Sequence, residues 1–196
     1  MLIIGLTGRI ASGKSVVARE LSKLEGFATI DADRIAWETY KKGSCVYKKL
    51  VEHFGEGILK QDGEIDRKKL GEIVFCNKEE LKVLNRIVHP AVAKRIKELA
   101  LEYERKGTKV LVVEAALLLE SEYIDLSIFD YVIALKVNQK EQIKRLIKRD
   151  GISLKKAKLK IKAQAPLKKA DYVIDTSGSL EETVAQVKEF FLGLAN

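Results

Sequence analysis

Residues 2–15 read Leu-Ile-Ile-Gly-Leu-Thr-Gly-Arg-Ile-Ala-Ser-Gly-Lys-Ser. Leu2 to Thr7 is an apolar run too short for a helix and stopped by Gly8, which predicts a buried strand. Gly8-Arg9-Ile10-Ala11-Ser12-Gly13-Lys14-Ser15 then fits GxxxxGK[ST], and Val16, Val17, Leu21 and Leu24 follow near helical spacing before Gly26. In a strand, glycine loop and helix of this kind, successive N–H groups and the helix N-terminus stabilise phosphate charge. Lys14 reaches the β- and γ-phosphates, and Ser15 presents an oxygen to Mg²⁺. The pattern predicts binding of a nucleoside triphosphate.

Outward from this unit, Phe27 to Ile30, Lys109 to Val113, Tyr131 to Lys136 and Asp171 to Ile174 are further short apolar runs rich in Val, Ile and Tyr. Helical patterns lie between them: Ala32 to Lys42, Asp66 to Phe75, Lys78 to Val88, Ala91 to Lys106, Gln139 to Lys148 and Leu180 to Leu192. Alternation of strand and helix predicts an α/β fold on a parallel sheet. From Ala32 to Lys106 no good strand occurs, so that span reads as a helical insertion on the second crossover. Within it, residues 55–63 read as a loop and Asp66 as a helix N-cap. His89-Pro90 reads as the end of one helix and the start of the next.

At 196 residues and 46% hydrophobic, the chain predicts one soluble domain with a substantial core. Its longest apolar stretch, Val110 to Leu119, is interrupted by Glu114 and is too short for a membrane span. The N-terminus lacks the form of a signal peptide, so the expected location is the cytoplasm. Cys45 and Cys76 stand alone, without CxxC, and read as small buried apolar groups. The net charge is +8, but residues 136–169 hold 13 lysines and arginines against Glu141 and Asp150, a local excess of +11. The whole excess lies in one segment, which points to one local anionic partner and argues against a nucleic-acid surface.

Several residues carry candidate chemistry. Asp31-Ala32-Asp33 follows the second strand, where a parallel sheet places ligands. One of the two carboxylates can cap the next helix while the other takes the proton of an attacking hydroxyl. Val110 to Glu114 resembles a Walker B strand, whose terminal acid can hold Mg²⁺ through water. Gln142, Arg145 and Arg149 fall at i, i+3 and i+7 on one helix face, and guanidiniums there suit a triphosphate if a mobile lid brings them in. Trp37 and Tyr40 read as core or helix-contact residues ahead of the alternative, a face bordering a nucleotide-sized substrate, and His53 has no evident partner.

These pieces in this order resemble the dephospho-coenzyme A kinase family. The resemblance rests on GLTGRIASGKS (5–15), DADRIA (31–36), His89-Pro90, VEAALLLE (113–120), QIKRLIKRDGIS (142–153) and KIKAQAPLKKADYVIDTSGSLEETVAQV (160–187). It implies a P-loop, nucleotide-kinase-like fold with a five-stranded parallel sheet: a core of about 1–31, 107–136 and 165–196, a helical coenzyme A subdomain of about 32–106, and a basic lid of about 137–164. It further implies ATP-dependent phosphorylation of the ribose 3′-hydroxyl of dephospho-coenzyme A, with Mg²⁺, by a monomer or small homo-oligomer that binds neither nucleic acid nor membrane. By the same resemblance Asp33 is the general base beside Asp31. Gly8, Ala11, Ser12, Gly13, Lys14, Ser15 and Val16 bind ATP with Arg145 and Arg149, Lys14 and Arg145 join the catalysis, His89 lies near the acceptor, and the loop after Ile174 lies near adenine.

The chain departs from the family pattern at Lys160, where Arg is common and supplies a bidentate fork that Lys lacks. Thr176 stands for Asn, Glu114 and Ala116 for Asp and Pro, and Arg9 for a glycine. A nucleoside or nucleoside-monophosphate kinase would share the loop, the lid arginines and the acid after strand two. A regulatory GTPase fails on the order and identity of its motifs: Asp175-Thr176-Ser177-Gly178 comes after Asn77-Lys78-Glu79-Glu80, which lacks the final Asp.

Overall fold

The structure is a computed structural model and describes residues 1–115, 126–164 and 170–194. Its strands are β1 (Leu2–Gly8), β2 (Phe27–Asp31), β3 (Val110–Glu114), β4 (Tyr131–Lys136) and β5 (Tyr172–Asp175). They form one sheet in the order β2-β3-β1-β4-β5, with β1 pairing in parallel to β3 and β4, and β4 to β5. The chain builds one side of β1 first and then the other. A crevice therefore opens at the carboxyl end of β1, the place where such sheets bind ligands.

The helices are α1 (Lys14–Leu21), α2 (Ala32–Thr39), α3 (Cys45–Phe54), α4 (Arg67–Cys76), α5 (Lys78–Arg105), α6 (Gln139–Asp150), α7 (Leu154–Lys162) and α8 (Leu180–Leu194). Two compact units result: one holds Met1–Ile30 with the described residues from 102 to 115 and from 127 to 194, the other holds Asp31–Leu101. The core of the first unit buries Ile4 and Leu6 of β1 against Val17 and Leu21 of α1, Ile133 and Leu135 of β4, and Val187 and Phe191 of α8. Burying such side chains is worth about 1.5–3 kcal/mol each, which holds the start of α1 at the end of β1.

Four expectations are corrected. His89-Pro90 does not divide two helices, because α5 runs continuously through Pro90. Proline removes one N–H bond and strains the preceding turn, at about 3 kcal/mol; Val88, Val92, Ile96 and Ala100, buried at every fourth position on both sides, offset it. Cys45 and Cys76 are exposed, since they occupy the first turn of α3 and the last residue of α4. Trp37 is no core residue: it is 47% exposed and lies under the Arg67 guanidinium at 4.2 Å.

The fourth correction concerns two helices that the apolar pattern does not reveal. In α3 only Leu50 is buried, and Ser44 caps the helix by accepting from the Tyr47 N–H. In α7, Ser153 caps and only Ala157 and Ile161 are buried, packed on Leu146 of α6. A lysine-rich stretch with two buried positions has almost no helical signature of its own. Tertiary burial selects the helix there. Asp66 does cap α4, accepting from the N–H groups of Lys68 and Lys69.

Candidate active site

At the end of β1 the chain turns sharply. A Cβ on Gly8 would meet Leu135 O and Ser12 Oγ, each at 2.6 Å, so only glycine fits. Gly13, the N-cap of α1, has φ 93, a left-handed backbone that glycine adopts without strain. The loop thus brings the N–H groups at the head of α1 together, a ready anion site. Ser12 lies inside it with 0% exposure, and its Oγ has no hydrogen-bond partner among the described residues. A buried hydroxyl without a partner is costly, and a phosphate oxygen would satisfy it.

Lys14 Nζ donates to the Gly8 carbonyl at 2.7 Å and so lies along the loop. Ser15 Oγ donates to Glu114 Oε1 at 2.6 Å, which brings the hydroxyl of the motif and the acid at the end of β3 together. Val16 is 39% exposed on the first turn of α1, and Ala11 holds φ 59. Ala116, which stands where the family pattern has Pro, lies outside the described residues.

From α6, Arg145 reaches towards the same point. Its Nη2 donates to the Thr176 carbonyl at 2.6 Å and its Nε to Glu141 at 3.1 Å, while a Cβ on Gly13 would sit 3.7 Å from its Nη1. Arg149 points elsewhere: it pairs with Asp150 at 2.7 Å, and Lys160 pairs with the same carboxylate at 3.0 Å. Arg149, then Lys160, hold the Asp150 carboxyl down at about 2. Gln142 is buried at 3% exposure, its side-chain amide turned to the loop. Thr176 is buried too, and its Oγ1 donates to the Ser12 carbonyl at 2.8 Å, a brace on the loop that no motif announced. A cavity of about 250 Å³ opens beside Ser12, Gly13, Val16, Arg145, Thr176 and Thr183.

The second unit carries the acids. Asp31 caps α2, its Oδ1 accepting from the N–H groups of Asp33 at 2.9 Å and Arg34 at 3.1 Å. Capping thus falls to Asp31, and the Asp33 side chain stands exposed on the first turn. His89 is half-buried in α5, and burial pushes its imidazole below the usual histidine range. His53 has a partner after all, Glu80 at 2.7 Å. A cavity of about 610 Å³ lies among Trp37, Tyr40, Lys60, Arg67, Lys68 and Phe75, an aromatic wall with cations at its edge. Burial raises the Tyr40 phenol. Trp37 and Tyr40 line it, the second of the two readings that their spacing allows, because aromatic pairs at i and i+3 more often mark a core face.

The chain is similar to known proteins over almost its whole length. A sequence profile for dephospho-CoA kinase matches residues 2–182. A dephospho-CoA kinase of Carboxydothermus hydrogenoformans is 48% identical over 189 residues, 94% of this chain and 90% of that one. One from Bacillus licheniformis is 45% identical over 192 residues, 96% of this chain and 94% of its own. The solved dephospho-CoA kinase of Campylobacter jejuni superposes with a TM-score of 0.66 at 30% identity, covering 98% of this chain and 96% of that one. A phosphate loop at the end of the central strand and a match that runs through almost the whole chain lead to one assignment: this protein belongs to the dephospho-CoA kinase family.

Proposed function

We propose that the protein transfers the γ-phosphoryl group of ATP to the ribose 3′-hydroxyl of dephospho-coenzyme A, in the cytoplasm, giving coenzyme A and ADP. The observation that carries this reading is the family match over residues 2–182 in a chain whose loop holds a buried, unpaired Ser12 hydroxyl at the head of α1. Phosphoryl transfer asks little covalent chemistry of a protein, so positioning and charge do most of the work.

Each residue has a place in that work. The N–H groups from Ala11 to Val16 and the Ser12 hydroxyl hold the phosphates, with Lys14 swinging from the Gly8 carbonyl to the β- and γ-oxygens. Ser15 and Glu114 are hard oxygen donors 2.6 Å apart, a set that fits Mg²⁺, with Glu114 acting through water. The ion supplies charge neutralisation on the phosphates when bound. Arg145 stabilises the charge that spreads over the transferring group. Asp33, relieved of capping by Asp31, accepts the proton of the 3′-hydroxyl as it attacks. In the second unit, the cavity of Trp37 and Arg67 suits the anionic, partly apolar body of the acceptor, with His89 near the acceptor by family analogy.

The test is product formation from ATP and Mg²⁺ with dephospho-coenzyme A, run beside AMP, CMP, UMP, dTMP and adenosine. Coenzyme A formed far faster than any other product is the expected result. Turnover of a monophosphate without turnover of dephospho-coenzyme A would retain the nucleotide site and overturn the acceptor.

A further inference from the structure

The phosphate loop is gripped from outside by side chains that the transfer chemistry does not use. Ile10 donates its N–H to Gln164 Oε1 at 2.8 Å, and its carbonyl accepts from Gln142 Nε2 at 2.8 Å. A peptide N–H only donates and a carbonyl only accepts, so the two glutamines have opposite roles. Gln142 sits in α6 with 3% exposure, which commits its amide to this bond in place of water. Gln164 lies just past the end of α7. Arg9 strengthens the same junction, its Nη2 donating to the carbonyls of Ile161 at 2.6 Å and Gln164 at 3.4 Å. Those carbonyls lie at and just past the C-terminal end of α7, where cations are favoured.

The residue after the gripped one is strained. Among the described residues Ala11 alone has a positive φ without being glycine. The Ser12 N–H closes a turn onto the Arg9 carbonyl at 3.1 Å, which puts Ala11 at the third turn position, where a left-handed backbone normally calls for glycine. Such a conformation persists in an L-residue only where the surroundings over-determine it.

We propose that Gln142 and Gln164 are positioning residues for nucleotide binding. They clamp Ile10 from both sides, hold Ala11 left-handed, and thereby aim the N–H groups that follow at the phosphates. Since α6 carries both Gln142 and Arg145, one helix sets the curvature of the loop and the place of the arginine together. The proposal rests on the nucleotide-binding half of the reading above and is indifferent to the acceptor.

Two readouts test it, both without acceptor: ATP affinity by calorimetry and hydrogen exchange of the Ile10 amide by NMR. Gln164→Leu is expected to speed Ile10 exchange and weaken ATP about tenfold, the scale of one lost hydrogen bond. Glutamate separates the roles. Gln164→Glu keeps an oxygen for the Ile10 N–H and retains its protection, whereas Gln142→Glu loses the donor, faces a carbonyl with a carboxylate, and binds ATP more weakly than Gln164→Glu. Ala11→Gly, added to Gln164→Leu, is expected to recover at least about threefold in affinity, because glycine adopts the left-handed backbone unaided. Native amide protection in β1 and β4 verifies the fold of each variant. Unchanged ATP affinity in Gln164→Leu despite fast Ile10 exchange overturns the proposal, and so does a failure of Ala11→Gly to recover any affinity. A native protein that binds no ATP defeats the functional reading instead, and the Ile10 exchange rates then still decide whether the clamp holds the loop.

Discussion

Ser15 Oγ donates to Glu114 Oε1 at 2.6 Å, tying the first turn of α1 to the carboxyl end of β3. Glu114 ends β3, and Ser15 stands in the helix that the loop after β1 leads into; β1 and β3 are adjacent in the sheet, so strand pairing sets the spacing of the two oxygens. Glu114→Gln keeps an oxygen for Ser15 and removes the charge. The Mg²⁺ concentration for half-maximal activity should rise about tenfold or more, the usual scale for an outer partner of a metal ligand. Binding of metal-free ATP should hardly change. A Mg²⁺ titration of the rate, unmoved by the substitution, would remove Glu114 from the metal's surroundings.

Asp31 caps α2, a task that the sequence leaves open between it and Asp33, and the base role proposed for Asp33 is tested separately. Asp31→Ala removes the acceptor for two N–H groups of α2 and should lower stability by about 1 kcal/mol, read in urea unfolding. Asp33→Asn should leave ATP affinity nearly intact and lower kcat at least about 10²-fold, the general-base scale. Steady-state rates that barely differ from the parent's would take the base role from Asp33.

Arg145 is anchored by the Thr176 carbonyl and Glu141 beside the N-terminus of α1. Its partner charge develops during transfer, so Arg145→Ala should lower kcat more than it weakens ground-state ATP binding. Equal losses in kcat and in calorimetric affinity would make it an ordinary binding residue.

Arg67 stacks on Trp37 at 4.2 Å at the wall of the larger cavity. Arg67→Ala should raise the KM for dephospho-coenzyme A about three- to tenfold, the scale of one cation–π or charged contact. The KM for ATP should stay where it is. A rise in the ATP value alone would place the acceptor elsewhere.

The Asp150 carboxyl titrates at about 2, below its ordinary 3.8, because Arg149 and then Lys160 favour the charged form. A depressed carboxylate contributes stability that is present above the unfolded value and disappears as pH falls towards the folded one. The gap in melting temperature between the parent and Asp150→Asn should therefore be constant near neutrality and shrink from about pH 4 towards pH 2. Thermal melts over that range check the sign; a gap that widens on acidification would contradict the pairing. All three side chains are at the surface, so salt should narrow the gap as well.

Much of this was legible without coordinates. Short apolar runs located the five strands to within a residue or so, at the partly exposed edges β2 and β5 as well as in the buried centre, because strands of a parallel sheet tend to be continuous apolar runs. The loop was legible because each of its fixed positions has a chemical reason. Helices α3 and α7 were not, since each buries so few side chains that its pattern is indistinguishable from a polar loop. The aromatic pair Trp37 and Tyr40 misled in the other direction: helical spacing of large apolar groups says that a face meets something, and not whether that is core or cavity wall.

The linear order of residues by itself determined that a nucleotide loop follows the first strand, that acids stand at the ends of strands two and three, and that a basic segment comes late in the chain. These are local facts of composition and spacing. Tertiary structure alone decided that Arg145 rather than Arg149 faces the loop, that Asp31 caps while Asp33 stands exposed, and that Gln142 and Gln164 close on the one peptide of Ile10. The bonds of Gln142 and Gln164 to Ile10 join residues over a hundred positions apart and depend on which helix packs against the loop. No local pattern encodes that packing.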